Sequence, residues 1–251
     1  MNRLEGVEAK IEQARSHLRA FEEAEQSFVD TALGTFNQDS DPETGEYILG
    51  VREIRRPEPF FGILIGDCLH NLRSALDHLA FQLVQFPVRP GGAKAEEHDI
   101  AFPICSAPEF FASAKNKIRG ASPDVEAVVE RLQPYNSGQP HLSLLRELSD
   151  WDKHRLLHVA ENYLFESGFL NPEFVESFEF RPPGPFKANT EIARYTLRAG
   201  VEPVVDVGFY MAVGITFEEG PAAGRIVKNL LAEILFTVNR ISYDLAPRIA
   251  P

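Results

Sequence analysis

A chain of 251 residues with 44% hydrophobic and 25% charged side chains has the composition of an ordinary globular protein, which excludes global disorder. Its 37 acidic and 25 basic side chains give a formal charge of −12, which argues against extended DNA binding and against association with an anionic membrane. Locally recognised RNA or a nucleotide stays open, because such a site needs only a few well-placed cations.

The N-terminal pattern and the two cysteines predict a cytoplasmic protein. The first ten residues begin a charged amphipathic pattern rather than a secretory signal, and no uninterrupted apolar run reaches about 18 residues, the length of a membrane-spanning helix. Cys68 and Cys105 lack C-x-x-C spacing and lie in apolar surroundings, which is typical of buried, reduced thiols. We therefore expect no membrane partner.

Helical periodicity dominates the chain up to residue 163. Apolar residues three and four apart predict a long first helix over 4–28 that packs by one stripe. After a connector with a short strand at 47–54, the apolar segment 60–86 predicts a largely buried central helix, ended by the proline that follows. A Pro/Gly-rich loop over 87–106 precedes further helical patterns at 107–118, 123–133 and 141–163.

The pattern then changes to strands. Segments rich in Val, Phe, Tyr and Thr are separated by Pro/Gly turns and predict antiparallel strands at 173–180, 191–197 and 204–217. Helical spacing returns over 222–245. With no repeat or long linker, the chain is predicted to form one α+β domain, in which a bundle of long helices packs with a small antiparallel sheet formed mainly after residue 160.

The predicted central helix carries a polar stripe on an otherwise apolar segment. The stripe spans about 60° of a helical wheel. Its members are Asp67, Asn71, Ser74 and His78, flanked by His70 and Asp77. Buried polar groups cost free energy unless they are satisfied. The mixture of carboxylate, imidazole, amide and hydroxyl groups favours a functional site, and a solvated face or a structural hydrogen-bond network is the alternative.

The predicted 141–163 helix carries a second polar stripe with spacings of three and four. Its members are Glu147, Asp150, His154, His158 and Glu161, flanked by Asp152, Lys153 and Arg155. A plain solvated face is the alternative, since an amphipathic helix must have one. If the two helices pack antiparallel with these stripes facing, histidines and carboxylates converge in one pocket between them.

One chemistry for such a pocket is a metal site. Candidate ligands stand three or four residues apart, spacings that place two ligands on one helix face. The set is Asp67, His70, His154 and His158, with a transition metal as the cofactor. The di-iron bundle uses two Glu-x-x-His pairs, whereas this chain has one Asp-x-x-His, so the remaining ligands would be irregular.

The other chemistry is metal-free cleavage of a phosphodiester, in which a histidine moves a proton and an arginine stabilises charge on the phosphate. Arg73 and His78 occur together as R-S-A-L-D-H. Over residues 60–87 the chain resembles the HEPN superfamily, helical-bundle proteins whose nucleases carry an R-x4-6-H motif, often with a polar residue directly after the arginine. Ser74 holds that polar position.

The HEPN resemblance implies a metal-independent endoribonuclease without a cofactor, in which Arg73 holds the phosphate of RNA and His78 is the general acid or base. Helix residues five apart point about 140° away from each other, so one helix cannot easily clamp one phosphate with both. The resemblance also implies a homodimer in which two protomers pair their motif helices. The alternative for Arg73 is a structural ion pair with Asp77 at i, i+4.

A wider pattern marks the supporting residues. The segment D-C-L-H-N-L-R-S-A-L-D-H-L, followed later by L-S-D-W-D-K-H-R-L-L, is similar to a group of uncharacterised bacterial proteins, and this similarity supplies no activity. The expected supporting residues are Asp67, His70, Asn71, Ser74, Asp77, Asp150, Asp152, Lys153, His154 and Arg155. Lys153 and Arg155 would add the cations that an acidic protein needs near a phosphate.

Three functions therefore stay open: a HEPN-like ribonuclease, a metal-binding helical protein, and a non-catalytic ligand-binding or regulatory module. The chain lacks the motifs of P-loop, Rossmann and α/β-hydrolase proteins. Cys68 is a poor nucleophile candidate, because a cysteine inside a buried helix is usually inert. Trp151, the only tryptophan, is a candidate for either a ligand-pocket wall or the core.

Overall fold

The computed structural model describes residues 3–32, 36–53, 56–86, 94–138, 140–201 and 208–249. These residues form seven α-helices and two antiparallel sheets, which confirms the predicted α+β class. The helices are α1 (Glu5–Ala32), α2 (Pro59–Gln85), α3 (Pro108–Ala114), α4 (Pro123–Arg131), α5 (Pro134–Ser137), α6 (Pro140–Asp152) and α7 (Val227–Leu245). The strands are β1 (Phe36–Ser40), β2 (Tyr47–Val51), β3 (Val159–Phe169), β4 (Val175–Phe180), β5 (Gly184–Pro185), β6 (Thr190–Leu197) and β7 (Phe209–Phe217).

Helix α2 is the centre of the helical layer, as its apolar sequence predicts. Pro59 stands in its first turn, where a missing N–H leaves no hydrogen bond unmade. Phe21 of α1 packs edge-on against Phe61, with ring centroids 5.6 Å apart, and at the other end of the pair Gly6 lies beside His78. Helices α1 and α2 therefore run antiparallel, and α6 and α7 also pack on α2.

Two glycines of α2 allow a close approach by α6 and the chain that follows it. A Cβ on Gly62 would lie 2.5 Å from the carbonyl oxygen of Leu157. A Cβ on Gly66 would lie 2.6 Å from a carboxylate oxygen of Asp152. The residue number increases from Gly62 to Gly66 on α2 while that of the contacted residue decreases from Leu157 to Asp152. The two segments therefore run antiparallel.

The strands divide into a four-stranded sheet of order β1-β2-β6-β4 and a three-stranded sheet of order β5-β3-β7. The first sheet includes the β1–β2 hairpin that precedes α2, so the predicted single sheet is in fact two. Strands β3 and β7 pair from Val159–Phe217 to Phe169–Phe209. This second sheet lies beside the helices, where the strand ends at Val159 and Phe217 join the main hydrophobic core.

A buried carboxylate joins the helices to the second sheet. Glu25 of α1 is 3% exposed and accepts a hydrogen bond of 3.0 Å from the backbone N–H of Ile215 in β7. Its other oxygen lies 2.9 Å from the ammonium of Lys228 on α7. The charge is therefore paired and hydrogen-bonded, the condition under which a buried carboxylate is tolerated.

The predicted helix over 141–163 is wrong in its second half. Helix α6 ends at Asp152, residues 153–155 form a turn, and β3 begins at Val159. The segment after 158 is rich in aromatic residues and pairs with β7, and this long-range pairing outweighs the weak helical spacing. His158 therefore lies in the α6–β3 connection, and the second polar stripe is a helical face only up to the end of α6.

Other predicted boundaries shift by smaller amounts. The predicted strand at 204–217 corresponds to β7, and positions 202–207 lie outside the described residues. The predicted strand at 47–54 corresponds to β2, with position 54 outside the described residues. The predicted loop at 87–106 is described from residue 94 onward and contains one 3-10 turn, Glu97–Asp99.

Candidate functional site

A cavity with four cations in its wall lies where α6, the segment 102–104 and the 3-10 turn Lys115–Ile118 meet α2. Its volume is about 380 Å³. The lining residues are Arg73, Phe102, Ile104, Lys117, Arg146, Ser149, Asp150 and Lys153. The lining contains four positive side chains and one carboxylate, so the wall of this cationic cavity carries a formal charge of +3 in a chain whose total charge is −12.

Arg73 and Asp77 bind the segment that forms one wall of the cavity. The Arg73 guanidinium donates to the Phe102 carbonyl oxygen at 2.8 Å and to the Asp77 carboxylate at 3.0 Å. The same carboxylate oxygen accepts from the Phe102 backbone N–H at 2.9 Å. Together the pair satisfies both backbone polar groups of Phe102. The sequence alternative of an Arg73–Asp77 ion pair is therefore present, and it holds residue 102 on α2.

Gln133 binds the same segment from the other side. Its side chain is fully buried; the amide donates to the carbonyl oxygens of Pro103 at 2.9 Å and Val129 at 3.0 Å, and its oxygen accepts from the Cys105 backbone N–H at 2.8 Å. An extended segment outside a sheet needs such partners for its backbone. The sequence analysis missed Gln133, although a glutamine between Leu132 and Pro134 can indicate a buried side chain that binds backbone groups.

The cations of the cavity differ in how firmly they are already engaged. Arg146 donates to the Ile104 carbonyl oxygen at 3.0 Å. Among the residues that the structure describes, neither Arg146 nor Lys117 forms an ion pair with a carboxylate. Lys153 lies 2.8 Å from Asp150, and this hydrogen bond, helped by the charge of Arg146, holds the pKa of Asp150 below its usual value. Within the described ranges, Lys117 and Arg146 are thus the two positive charges of the cavity that have no carboxylate partner.

Ser149 adds an unsatisfied group to the wall. The residue is 8% exposed, and its hydroxyl is buried without a hydrogen-bond partner in the described part of the chain. A buried hydroxyl without a partner costs about 1–3 kcal/mol, and such groups in folded proteins are uncommon. Ser149 lines the same cavity as the four cations, which is consistent with a ligand atom as the missing partner.

A second cavity adjoins the first. It has a volume of about 540 Å³, and we name it the Trp151 cavity. Its lining residues are Arg146, Glu147, Asp150, Trp151, His154, Arg155 and Pro221. Arg146 and Asp150 belong to both walls. The guanidinium carbon of Arg155 lies 4.4 Å from the centroid of the Trp151 ring. Of the D-K-H-R segment, His154 and Arg155 line this cavity, and both follow the end of α6.

Two members of the first polar stripe, Asn71 and His78, face α1. Asn71 donates to the carbonyl oxygen of Asp67 at 2.8 Å and accepts from Lys10 of α1 at 3.4 Å. A Cβ on Gly6 of α1 would lie 2.8 Å from Nδ1 of His78. The two predicted stripes therefore do not face each other along their length, and within the described ranges they approach each other only where Asp67 lies near Asp152.

Arg73 and His78 are not brought together within one chain. Arg73 lines the cationic cavity, whereas His78 lies beside α1. The two residues are five positions apart on the helix and therefore point about 140° away from each other. Ser74, the polar residue after the arginine, is half-buried. Of the residues that the sequence singles out, Arg73, Asp150 and Lys153 line the cationic cavity. The sequence analysis missed Lys117, Arg146 and Ser149, which line it too and stand outside the two stripes.

Asp67, His70 and Asp152 form a small group where α2 and α6 cross at Gly66. The Asp152 pKa is raised by burial, raised further by the charge of Asp67 and lowered by His70. Asp67 and His70 are exposed. This group explains part of the polar pattern of α2 without a ligand.

The four metal-ligand candidates are spread over separate places. Asp67 and His70 stand near Asp152, and His154 lines the Trp151 cavity. His158 lies 4.0 Å from a carboxylate oxygen of Glu219. Within the described ranges, no group of three or more histidine, cysteine or acidic side chains is arranged to hold a metal ion.

Comparisons with known proteins gave no match among family models, curated proteins or solved structures. In the described residues, no helix has both the length and the apolar character needed to cross a membrane. Burial raises the pKa of the Cys68 thiol to about 12, so it stays protonated at neutral pH, as expected for an inert cysteine. Function is therefore inferred from the two cavities.

Proposed function

We propose that the protein binds a phosphate-bearing ligand, with the phosphate in the cationic cavity. The observation that carries the proposal is a wall with four cations and one buried hydroxyl that has no partner among the described residues, in a chain that is acidic overall. Guanidinium and ammonium groups bind phosphate through charge-assisted hydrogen bonds. The cavity volume of about 380 Å³ is ample for a phosphate group and its first substituent.

The cations without carboxylate partners provide the binding energy. Lys117 and Arg146 would approach the phosphate oxygens directly, because neither must first break an ion pair in the described residues. Arg73 is held in place by Asp77 and Phe102, which keeps its guanidinium at the wall with little entropy left to lose. The Ser149 hydroxyl would donate the hydrogen bond that it lacks without a ligand.

Isothermal titration of the full chain with inorganic pyrophosphate at low ionic strength tests the proposal. We expect saturable binding that Lys117→Gln weakens by about tenfold, the effect of losing one charge-assisted hydrogen bond. Lys115→Gln is the matched control, because Lys115 is an exposed lysine of the same 3-10 turn that does not line the cavity. Absence of binding, or equal weakening by both variants, would contradict the proposal.

RNA cleavage is the second candidate function. The observation that favours it is that Arg73, the arginine of the R-S-A-L-D-H segment, lines the cationic cavity. In this candidate Arg73 holds the scissile phosphate of RNA, and no metal is required. Because His78 lies on the α1 side of its own chain, the candidate requires a homodimer in which a second copy supplies the histidine.

An RNA cleavage assay in the presence of a metal chelator tests this second candidate. His78→Ala is expected to abolish cleavage while leaving the circular dichroism spectrum unchanged, since His78 is exposed. His98→Ala is the control, because His98 is an exposed histidine in the turn Glu97–Asp99. Equal cleavage by wild type and His78→Ala would exclude this mechanism without affecting the phosphate-binding proposal.

A further inference from the structure

We infer that the phosphate-bearing ligand is a nucleotide whose base occupies the Trp151 cavity. The inference rests on the proposed phosphate site and names the chemistry of the remainder of the ligand. It follows from the shared wall of the two cavities and from the stacked pair of Trp151 and Arg155.

The two cavities form adjoining compartments of different character. The cationic cavity is about 380 Å³ and the Trp151 cavity about 540 Å³, both within the range of small-molecule sites. Arg146 and Asp150 line both. A ligand with a phosphate at one end and a flat group at the other can therefore fill both compartments and pass beside these two side chains.

Gly220 and Arg155 both pack against the Trp151 ring. A base that stacks in this cavity would therefore lie on the guanidinium of Arg155. A Cβ on Gly220 would lie 3.3 Å from Cε2 of Trp151, so the backbone there packs against the ring. Gly220 has φ +82°, a conformation that other residues rarely adopt, and this favours glycine at that position. Arg155 covers the ring at 4.4 Å and is itself exposed in the cavity.

A nucleobase is the flat group that this arrangement fits. Bases stack on guanidinium planes and on aromatic rings, and the interaction tolerates any base because each has a π-face. A base on the outer side of Arg155 would extend the Arg155–Trp151 stack to three layers. Arg155 is exposed, so this contact is compatible with a polar, hydrated base.

Asp150 supplies the chemistry expected for the sugar between phosphate and base. It lies in the shared wall, and its hydrogen bond with Lys153 holds its pKa below the usual value, so it is ionised at neutral pH. An ionised carboxylate accepts hydrogen bonds from hydroxyl groups. From one compartment to the other, the wall therefore offers cations for the phosphate, a carboxylate that accepts hydrogen bonds from the ribose hydroxyls, and a stacking surface for the base.

The test compares adenosine 5′-monophosphate, ribose 5-phosphate and inorganic phosphate by isothermal titration, with the fluorescence of the single tryptophan as a second readout. We expect adenosine 5′-monophosphate to bind about tenfold or more tightly than ribose 5-phosphate, in keeping with the stacking of one base. It should change the emission of Trp151, and ribose 5-phosphate should change it much less. Arg155→Gln should remove the advantage of the base and leave the affinity for ribose 5-phosphate unchanged.

Arg131→Gln is the matched control, because Arg131 is an exposed arginine of α4 that lines neither cavity. Equal affinities for adenosine 5′-monophosphate and ribose 5-phosphate would overturn the inference and leave the phosphate site standing. Persistence of the affinity difference in Arg155→Gln would also overturn it. If none of the three compounds binds, both the phosphate site and the nucleotide inference fall.

Discussion

The two polar sides of α2 have different neighbours and different tasks. The side with Arg73 and Asp77 meets the 102–104 segment and α6, where it binds backbone groups and lines a cationic cavity. The side with Asn71 and His78 meets α1. A short motif that looks like one unit in sequence is thus divided between two surfaces, because helical geometry turns its first and last residues apart.

Arg73 and Asn71 illustrate what the difference means for function. Asn71 donates to a carbonyl oxygen of its own helix and accepts from one lysine, so its polarity is used locally. Arg73 binds a neighbouring segment and in doing so is fixed at the wall of a cavity shared with Lys117 and Arg146. A polar residue becomes part of a site when several elements bring other groups of the same chemistry to it.

The largest expected effect concerns the segment that faces Arg73. Gln133→Leu removes the partners of Pro103 and Cys105 in a fully buried position and should lower the free energy of unfolding by about 2–4 kcal/mol. Urea unfolding measures this change. Gln13→Leu, at an exposed glutamine of α1, is the control and should stay within about 0.5 kcal/mol of wild type. A comparable loss in both variants would mean that the buried amide has no special role.

Two glycine substitutions compare the packing on the two sides of α2. Gly62→Ala places a methyl group against the fixed carbonyl oxygen of Leu157 and should lower the free energy of unfolding by about 1–3 kcal/mol. Gly6→Ala meets only the imidazole of His78, which can rotate away, so the helix preference for alanine of about 1 kcal/mol should make it neutral or stabilising. Thermal unfolding distinguishes them; equal destabilisation would remove the contrast between rigid and adaptable contacts.

The fold is largely predictable from the sequence because its strongest signals are local. Helices α1, α2 and α7 follow from apolar residues at helical spacing, and the α+β class follows from the change of pattern after residue 160. The end of α6 is not predictable in this way. Strand β3 owes its form to β7, a partner about fifty residues away, and no local pattern records that pairing.

The candidate site is predictable only in part, for a similar reason. Arg73 stands on α2 and Asp150 on α6, the two helices that the polar patterns single out, and Lys153 follows α6 directly. Lys117 reaches the cavity from a short 3-10 turn, and Arg146 reaches it from a position on α6 outside the second stripe. In a chain with 25 basic residues, a single lysine or arginine does not by itself indicate a site. Their convergence depends on tertiary packing.

A smaller effect is expected at Ser149. Ser149→Ala removes a buried hydroxyl that lacks a partner and should raise the free energy of unfolding by up to about 1 kcal/mol. The same change should weaken pyrophosphate binding by about fivefold, because the ligand loses one hydrogen bond. A variant that is more stable to unfolding but binds pyrophosphate more weakly would indicate that the hydroxyl serves ligand binding. A loss of stability without any change in affinity would show that the hydroxyl serves the fold.

The smallest effects separate two carboxylates at the end of α6. The pKa of Asp150 is lowered, so its contribution to stability is present above its unfolded pKa and is lost as pH falls through its folded value. The pKa of Asp152 is raised by burial, so its ionisation, as pH rises through the raised value, destabilises the fold.

At pH 7, Asp150→Asn should therefore be destabilising and Asp152→Asn stabilising, each by less than about 1 kcal/mol. Both differences from wild type should shrink at pH values below the ordinary carboxylate pKa of about 3.9. Urea unfolding at several pH values provides the comparison. The same sign for both variants at pH 7 would contradict the distinction between the paired and the buried carboxylate.

A crystal structure of the full chain with inorganic pyrophosphate tests the central claim most directly. The cationic cavity is expected to hold a phosphate group whose oxygens contact Lys117, Arg146 and the Ser149 hydroxyl, with Arg73 still bound to Phe102. Pyrophosphate bound on another surface, with this cavity empty at saturating concentration, would contradict the assignment of the cavity as a phosphate site.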